Sequence, residues 1–443
     1  MAITFIKPRT AIAIVVANMI GTGVFTSLGY QLIDLDSPLI ILLLWVVGGI
    51  TALCGALTYA ELTVRLPRSG GEYNYLREIY HPSLGFVSGW ISVLVGFSAP
   101  TALAAMTFAA YLTAALDLEI DRAVLAIALV LALTAFHCRS VKSSAGVQDV
   151  FTFLKLLLIL IFCVTVGIFQ DNESAKSFIP ESGDAFLILT AGFAVSLIYV
   201  NYAYTGWNVA TYIAGELEEP RKEVPKVLIT GTLLVMVLYI LLNGVFMLAA
   251  PLDELRGKIE VGVIVAEYTF GETGAVVMGV MLSLLLVSTV SAMILAGPRV
   301  IQVMGEDYRL FKLFARREKT GVPVRAILLQ SALTILFIVT ATFESILVFS
   351  GFVLGLNSLA TVMGLFWLRR KGPKIEDPSL YQTPFYPWPP LIFCGLMLWT
   401  LIFLALNRIE EVAYAAALIG TGFLVYPFVA NKTNSDSRSQ VEE

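Results

Sequence analysis

The chain has 443 residues, 58% of them hydrophobic and only 14% charged, whereas a soluble domain carries about 25% charged residues. So few charges cannot clothe a water-facing surface of this size, the apolar content excludes disorder, and four cysteines do not make a secreted disulfide scaffold. The formal net charge of −4, from 29 lysines and arginines against 33 acidic residues, exerts no pull toward nucleic acid. The class that remains is an all-α polytopic membrane protein.

Apolar runs able to cross roughly 30 Å of hydrocarbon fall at 11–33, 38–64, 84–116, 122–138, 147–169, 186–215, 226–250, 262–303, 325–343, 345–368, 388–407 and 411–430, twelve spans in all. None alternates in polarity as a barrel strand does. The first run is longer than the apolar core of a cleaved leader and has no small-residue cleavage site before the second, so it reads as a span. With a cytoplasmic N-terminus, 23 lysines and arginines fall inside and five fall outside (Arg122, Lys176, Arg256, Lys258 and Arg408), with Lys155 inside a span. That asymmetry puts both termini in the cytoplasm. The four cysteines lie within spans or at their ends, so no disulfide framework is expected. Two histidines, His81 and His137, read as solvated residues at span ends, and no metal site is expected.

The first span is interrupted at mid-depth: Asn18-Met-Ile-Gly-Thr-Gly-Val-Phe25. The sixth is interrupted at similar depth: Tyr199-Val-Asn-Tyr-Ala-Tyr-Thr-Gly-Trp-Asn208. These two spans head the two halves if the first ten helices form two sets of five. Glycine-interrupted spans at matched positions are the best sequence pointer to a transporter's binding site. Unwound backbone inside a bilayer must be satisfied by a polar ligand or by water. The half-helix starting near Gly23 presents free N–H groups and a positive dipole end, which suit a carboxylate. The half-helix ending near Ile20 presents free carbonyls, which suit an ammonium. A zwitterionic α-amino acid satisfies both. Close packing of helices is the competing reading of Gly21 and Gly23 alone.

At these residues the chain resembles the amino acid–polyamine–organocation transporter superfamily, in particular its L-type amino acid transporter branch and the bacterial relatives. The resemblance rests on Gly21-Thr-Gly-Val-Phe25, Tyr59-Ala-Glu-Leu62, Leu66-Pro-Arg-Ser-Gly-Gly-Glu-Tyr73, Gly85-Phe-Val-Ser-Gly-Trp90, Gln148-Asp-Val-Phe-Thr-Phe-Leu-Lys155, Tyr204-Thr-Gly-Trp-Asn208, Glu216-Leu-Glu-Glu-Pro-Arg221 and Ser291-Ala-Met-Ile-Leu-Ala-Gly-Pro-Arg299. They span roughly the first 310 residues; the last spans match only in hydropathy.

The resemblance implies a LeuT-type fold of two inverted five-helix repeats, about 11–169 and 186–368, with extra helices at about 388–430, in one transmembrane domain over 1–430. It implies alternating access, no catalytic residues and no cofactor. Backbone N–H groups of Gly21, Thr22 and Gly23 would hold the carboxylate, and carbonyls of Met19, Ile20, Tyr202 and Ala203 the amino group. Tyr202 occupies the family's aromatic gate position. Thr205 stands where the family has glycine, and with the Tyr202 hydroxyl it argues against a large aromatic substrate. Asn208, after the break, faces substrate or a neighbouring helix.

Lys155 sits in the apolar run from Phe153 to Val164. An intramembrane ionisable residue is a functional hypothesis by default; snorkelling toward an interface is the alternative. By resemblance it matches the fifth-helix lysine of sodium-independent relatives, whose ammonium stands in for a sodium between helices one and eight. Its expected partners are carbonyls near Ala17 or Asn18 and the hydroxyls of Ser288, Thr289 and Ser291. A permanent ammonium supports exchange; a lysine that releases its proton as a gate opens supports proton symport.

Glu61 beside Arg65 and Arg68 reads as a cytoplasmic ion-pair network, and 216–222 as a charged turn. Ser350 to Gly355 and Asn357 line the pocket or pack against a helix. The loop at 117–121 has no cysteine of the kind animal L-type light chains use to attach a heavy chain, so no disulfide-linked partner is expected. The tail from Asn431 reads as disordered. The leading function is sodium-independent transport of small neutral L-amino acids across a bacterial inner membrane, with a proton-coupled symporter as alternative. A cationic amino acid or polyamine permease would need a carboxylate at the midplane, which neither broken helix carries. A membrane enzyme would need a nucleophile–base or metal pair at depth.

Overall fold

The computed structural model describes residues 6–139, 144–169, 178–315, 323–372, 375 and 377–430. The tail from Asn431 and the lysines and arginines at 142, 176, 316, 317, 319, 374, 432 and 438 lie outside the described residues. The elements are helical throughout: α1 (Pro8–Met19), α2 (Gly23–Asp34), α3 (Pro38–Arg65), α4 (Glu72–Ile79), α5 (Pro82–Ile91), α6 (Ser98–Leu116), α7 (Arg122–His137), α8 (Ser144–Phe169), α9 (Asp184–Leu187), α10 (Ala191–Ala203), α11 (Pro220–Ala249), α12 (Leu252–Leu255), α13 (Val261–Asp307), α14 (Arg309–Ala315), α15 (Val324–Thr340), α16 (Phe343–Lys371), α17 (Trp388–Asn407) and α18 (Ile409–Ala430). Among the described residues, eight helical stretches are long and apolar enough to cross a membrane. Four shorter apolar helices, Arg122–His137, Phe153–Ile168, Ala191–Ala203 and Val324–Thr340, stand where the other expected spans fall.

Local chemistry sets the helix starts. Pro38 follows Ser37, whose hydroxyl accepts from the Ile40 N–H. Asp121 accepts from the Ala123 and Val124 N–H groups, and Thr190 and Thr342 cap α10 and α16. Three expectations change. The third span is not one straight helix. Pro100 has no N–H to offer the Gly96 carbonyl, and a π-helical turn over Ser92–Gly96 separates α5 from α6. The eighth span also bends, since Gly271 within α13 adopts φ 72°, a conformation open to glycine. The 220–222 turn is instead the first turn of α11, with Pro220 at its N-terminus.

Helices α1 and α11, α3 and α11, α2 and α10, and α6 and α13 pack together, so both interrupted spans lie inside the bundle. Ion pairs cross its two ends. At the N-terminal end, Asp307 of α13 receives Arg77, Arg68 at 3.1 Å and the Tyr73 hydroxyl at 2.5 Å. At the opposite end Arg408 pairs with Glu344, which also accepts from Tyr199 at 3.1 Å, while Tyr30 stacks on Phe343 at 5.8 Å. Glu61 pairs with Arg65 at 2.8 Å and with Arg369 at 2.5 Å, and Arg68 reaches Asp307.

Candidate functional site

Helix α1 stops at Met19. The Gly21 N–H turns back onto the Met19 carbonyl at 2.8 Å, and α2 begins at Gly23, leaving Ile20 to Thr22 unwound. Helix α10 stops at Ala203. The Thr205 N–H folds onto the Tyr202 carbonyl at 2.8 Å, and the chain continues in turns and short 3-10 segments. The two breaks interlock through glycine. A Cβ on Gly23 would lie 2.5 Å from the Ala203 Cα. Gly206 has φ 103°, and a Cβ there would lie 2.9 Å from the Asn18 carbonyl carbon. Gly21 has room for a Cβ: its nearest neighbour would be the Thr289 methyl at 3.5 Å.

A cavity of about 90 Å³, measured as space open to the centre of a water molecule, lies against both breaks. It holds several waters or one small zwitterion. Met19, Gly21, Thr22, Gly23, Tyr202, Ala203, Thr205 and Asn208 line it; Ile20 is fully buried behind it. The first N–H groups of a helix have no intrahelical acceptor, so α2 opens onto the cavity with donors at its positive end.

The carbonyls expected to hold an ammonium already accept protein hydrogen bonds: Met19 and Tyr202 accept two each, from the Gly21 and Thr205 N–H groups and from hydroxyls, whereas Ile20 and Ala203 accept one each and keep a second lone pair. The Ile20 oxygen accepts from Lys155 at 2.8 Å. The Tyr202 oxygen accepts from the Thr205 hydroxyl at 2.5 Å. The Met19 and Ala203 oxygens both face the hydroxyl of Tyr239 on α11, the latter at 3.0 Å. Tyr239 escaped the sequence reading: it is a lone tyrosine in an apolar run, and its targets lie 220 and 36 residues away.

Lys155 is 2% exposed and does not snorkel. Its ammonium joins the Ile20 carbonyl in the first break to the Thr289 hydroxyl of α13, at 2.9 Å. Ala17 and Asn18 are not the carbonyls it reaches. Ser288 is buried beside Thr289. Ser291 turns elsewhere, its hydroxyl 2.8 Å from the His137 Nε2. Two residues along a helix rotate a side chain by about 200°, which is why Thr289 and Ser291 serve different neighbours. His137, expected at a solvated boundary, is buried, whereas His81 is exposed.

A carboxylate enters the cavity wall from outside both broken helices. Gly70 and Gly71 adopt φ 116° and 53° and turn the chain back, so that α4 begins with Glu72 beneath the cavity. Glu72 is 2% exposed and takes five neutral donors: Tyr59 at 2.6 Å, Asn208 at 3.1 Å, Tyr212 at 3.1 Å, Asn357 at 2.5 Å and Ser358 at 2.9 Å. The sequence offered one signal, an acid directly after paired glycines in Ser69-Gly-Gly-Glu-Tyr73. Asn208 and Asn357 thus bind Glu72, while Ser350 bonds within α16 to the Ile346 carbonyl.

Comparisons with known proteins show what the chain as a whole is similar to. The sequence model of a family described as amino acid permease matches residues 6–431. The large neutral amino acids transporter small subunit 2 of Mus musculus is 30% identical over 427 residues, covering 94% of this chain and 79% of that relative. The b(0,+)-type amino acid transporter 1 of Mus musculus is 28% identical over 381 residues, covering 83% and 77%. The cystine/glutamate transporter of Homo sapiens is 26% identical over 381 residues, covering 85% and 75%.

Proposed function

The chain belongs to the amino acid permease family and is an integral membrane amino acid transporter, not an enzyme, and from that premise we propose that it exchanges small neutral L-amino acids without sodium. The observation that carries the proposal is the Lys155 ammonium, bonded at 2.8 Å to the Ile20 carbonyl and at 2.9 Å to Thr289. It is a fixed cation between the first break and the eighth span, the place where the resemblance implies that other members of the fold bind sodium. The cavity's small volume and the Thr205 and Tyr202 side chains on its wall favour a short substrate side chain.

In this reading the α2 N-terminus takes the substrate carboxylate, and of the four expected carbonyls Ile20 and Ala203, which each keep a lone pair, take the ammonium. The fold is two inverted sets of five helices, each headed by a broken helix, with α17 and α18 added. Access alternates by making and breaking the Asp307 and Glu344 end contacts in turn. Both termini are cytoplasmic and the membrane is a bacterial inner membrane, as the charge bias and the resemblance imply. The cysteine-free 117–121 loop supports action without a disulfide-linked subunit. A second reading, transport of cationic side chains, draws on the Glu72 carboxylate in the cavity wall.

Reconstitution into liposomes with labelled alanine, serine, leucine and arginine tests this. Uptake that requires internal amino acid and ignores sodium supports exchange. Uptake driven by a pH gradient without internal substrate indicates proton symport instead, and arginine uptake above that of alanine indicates the cationic reading.

A further inference from the structure

We propose that Glu72 is the element that rejects acidic side chains from the substrate cavity. The proposal rests on the amino acid transport reading and deepens it. Glu72 carries the sole carboxylate or cationic group among the described residues lining that cavity. Its five donors are three hydroxyls and two amides, drawn from α3, the broken sixth span and α16. A carboxylate that only accepts is suited by such a shell. Neutral donors satisfy its lone pairs without cancelling its charge, so the negative field extends into the cavity. Asn208 and Ser358 line the cavity beside it, which puts this charge on the wall where a substrate side chain must lie.

Two like charges a few ångströms apart at the effective dielectric of a protein interior repel enough to cost about a hundredfold in binding. A neutral amide or hydroxyl side chain of the same size escapes that repulsion. Among side chains of equal size, hydroxyl and amide groups are therefore accepted where the carboxylates of aspartate and glutamate are excluded by charge.

The test uses the full chain in liposomes, with labelled alanine competed by glutamine, glutamate and glutamate γ-methyl ester at neutral pH. The expected result is that glutamate competes about 100-fold more weakly than glutamine and its ester, and that E72Q narrows this ratio at least tenfold. Should E72Q fail to fold, S358K sets an ammonium beside the same carboxylate, and the same narrowing is expected. A wild-type ratio near one overturns the proposal, as does an unchanged ratio in a folded variant. Wild-type vesicles that take up no amino acid at all defeat the transport reading itself, a separate result.

Discussion

The Lys155 ammonium lies 2.8 Å from the Ile20 main-chain oxygen, inside the gap where the first membrane span is unwound. The same ammonium holds Thr289 on α13, so one side chain ties a break to a neighbouring helix. Removing it leaves a buried carbonyl and hydroxyl without their donor, at about 1–3 kcal/mol for each orphaned group. Lys155→Ala is expected to lower uptake at least about 100-fold while the protein stays inserted and monodisperse. Replacing external sodium by potassium is expected to leave wild-type uptake unchanged. Normal rates in the alanine variant would show that the lysine is dispensable.

Tyr239 has one hydroxyl proton for the Met19 and Ala203 carbonyls, one from each broken helix. Tyr239→Phe keeps the ring's contacts with Trp45 and Tyr204 and removes only that link. The expected outcome is a loss of about 1–3 kcal/mol in stability together with slower exchange. Melting of the purified protein and initial uptake rates check it; a variant with wild-type values in both assays contradicts the link.

The two glycines of the first break differ. Gly23 touches the Ala203 backbone, and its Cβ would come within 2.5 Å; at Gly21 the nearest contact would be an ordinary 3.5 Å. Gly23→Ala is expected to abolish transport and depress thermal stability. Gly21→Ala is expected to fold normally and to weaken substrate binding, because the added methyl occupies cavity space. Equal thermal behaviour of the two variants contradicts this steric argument.

These differences mark where the sequence was legible. Helix positions, the two interruptions and Lys155 could be read because each is a local departure from an apolar run. The partners could not. Thr289 rather than Ser291 follows from a helical rotation fixed by packing, and Tyr239 looks like any tyrosine in a span. Glu72 looks like a loop acid until Gly70 and Gly71 turn α4 under the cavity, where Asn357 meets it across 285 residues of chain. The bends at Ser92–Gly96 and Gly271 had visible causes in Pro100 and glycine, yet hydropathy alone runs straight through them.

At the N-terminal end of the bundle, burial by itself would raise the Asp307 carboxyl. Hydrogen bonds from Tyr73 and Arg77 and the charges of Arg68 and Arg77 outweigh burial and hold it below the usual carboxylate range. A carboxyl depressed in the folded state contributes stability above its unfolded value and loses that contribution as pH falls through the folded one. The stability difference between wild type and Asp307→Asn is therefore expected to be constant from neutral to mildly acidic pH and to vanish only in strong acid. Melting curves across that range decide it; a difference that disappears near neutrality contradicts the assignment.

The central claim is that the unwound first span grips both charged ends of one zwitterion. Competition against labelled L-alanine by propionate, by ethylamine and by L-alanine methyl ester tests it most directly, since each lacks one of the two charges. The account predicts that unlabelled L-alanine displaces the label, while none of the three does so at a hundredfold higher concentration. Displacement by any of them within a few-fold of L-alanine would contradict it.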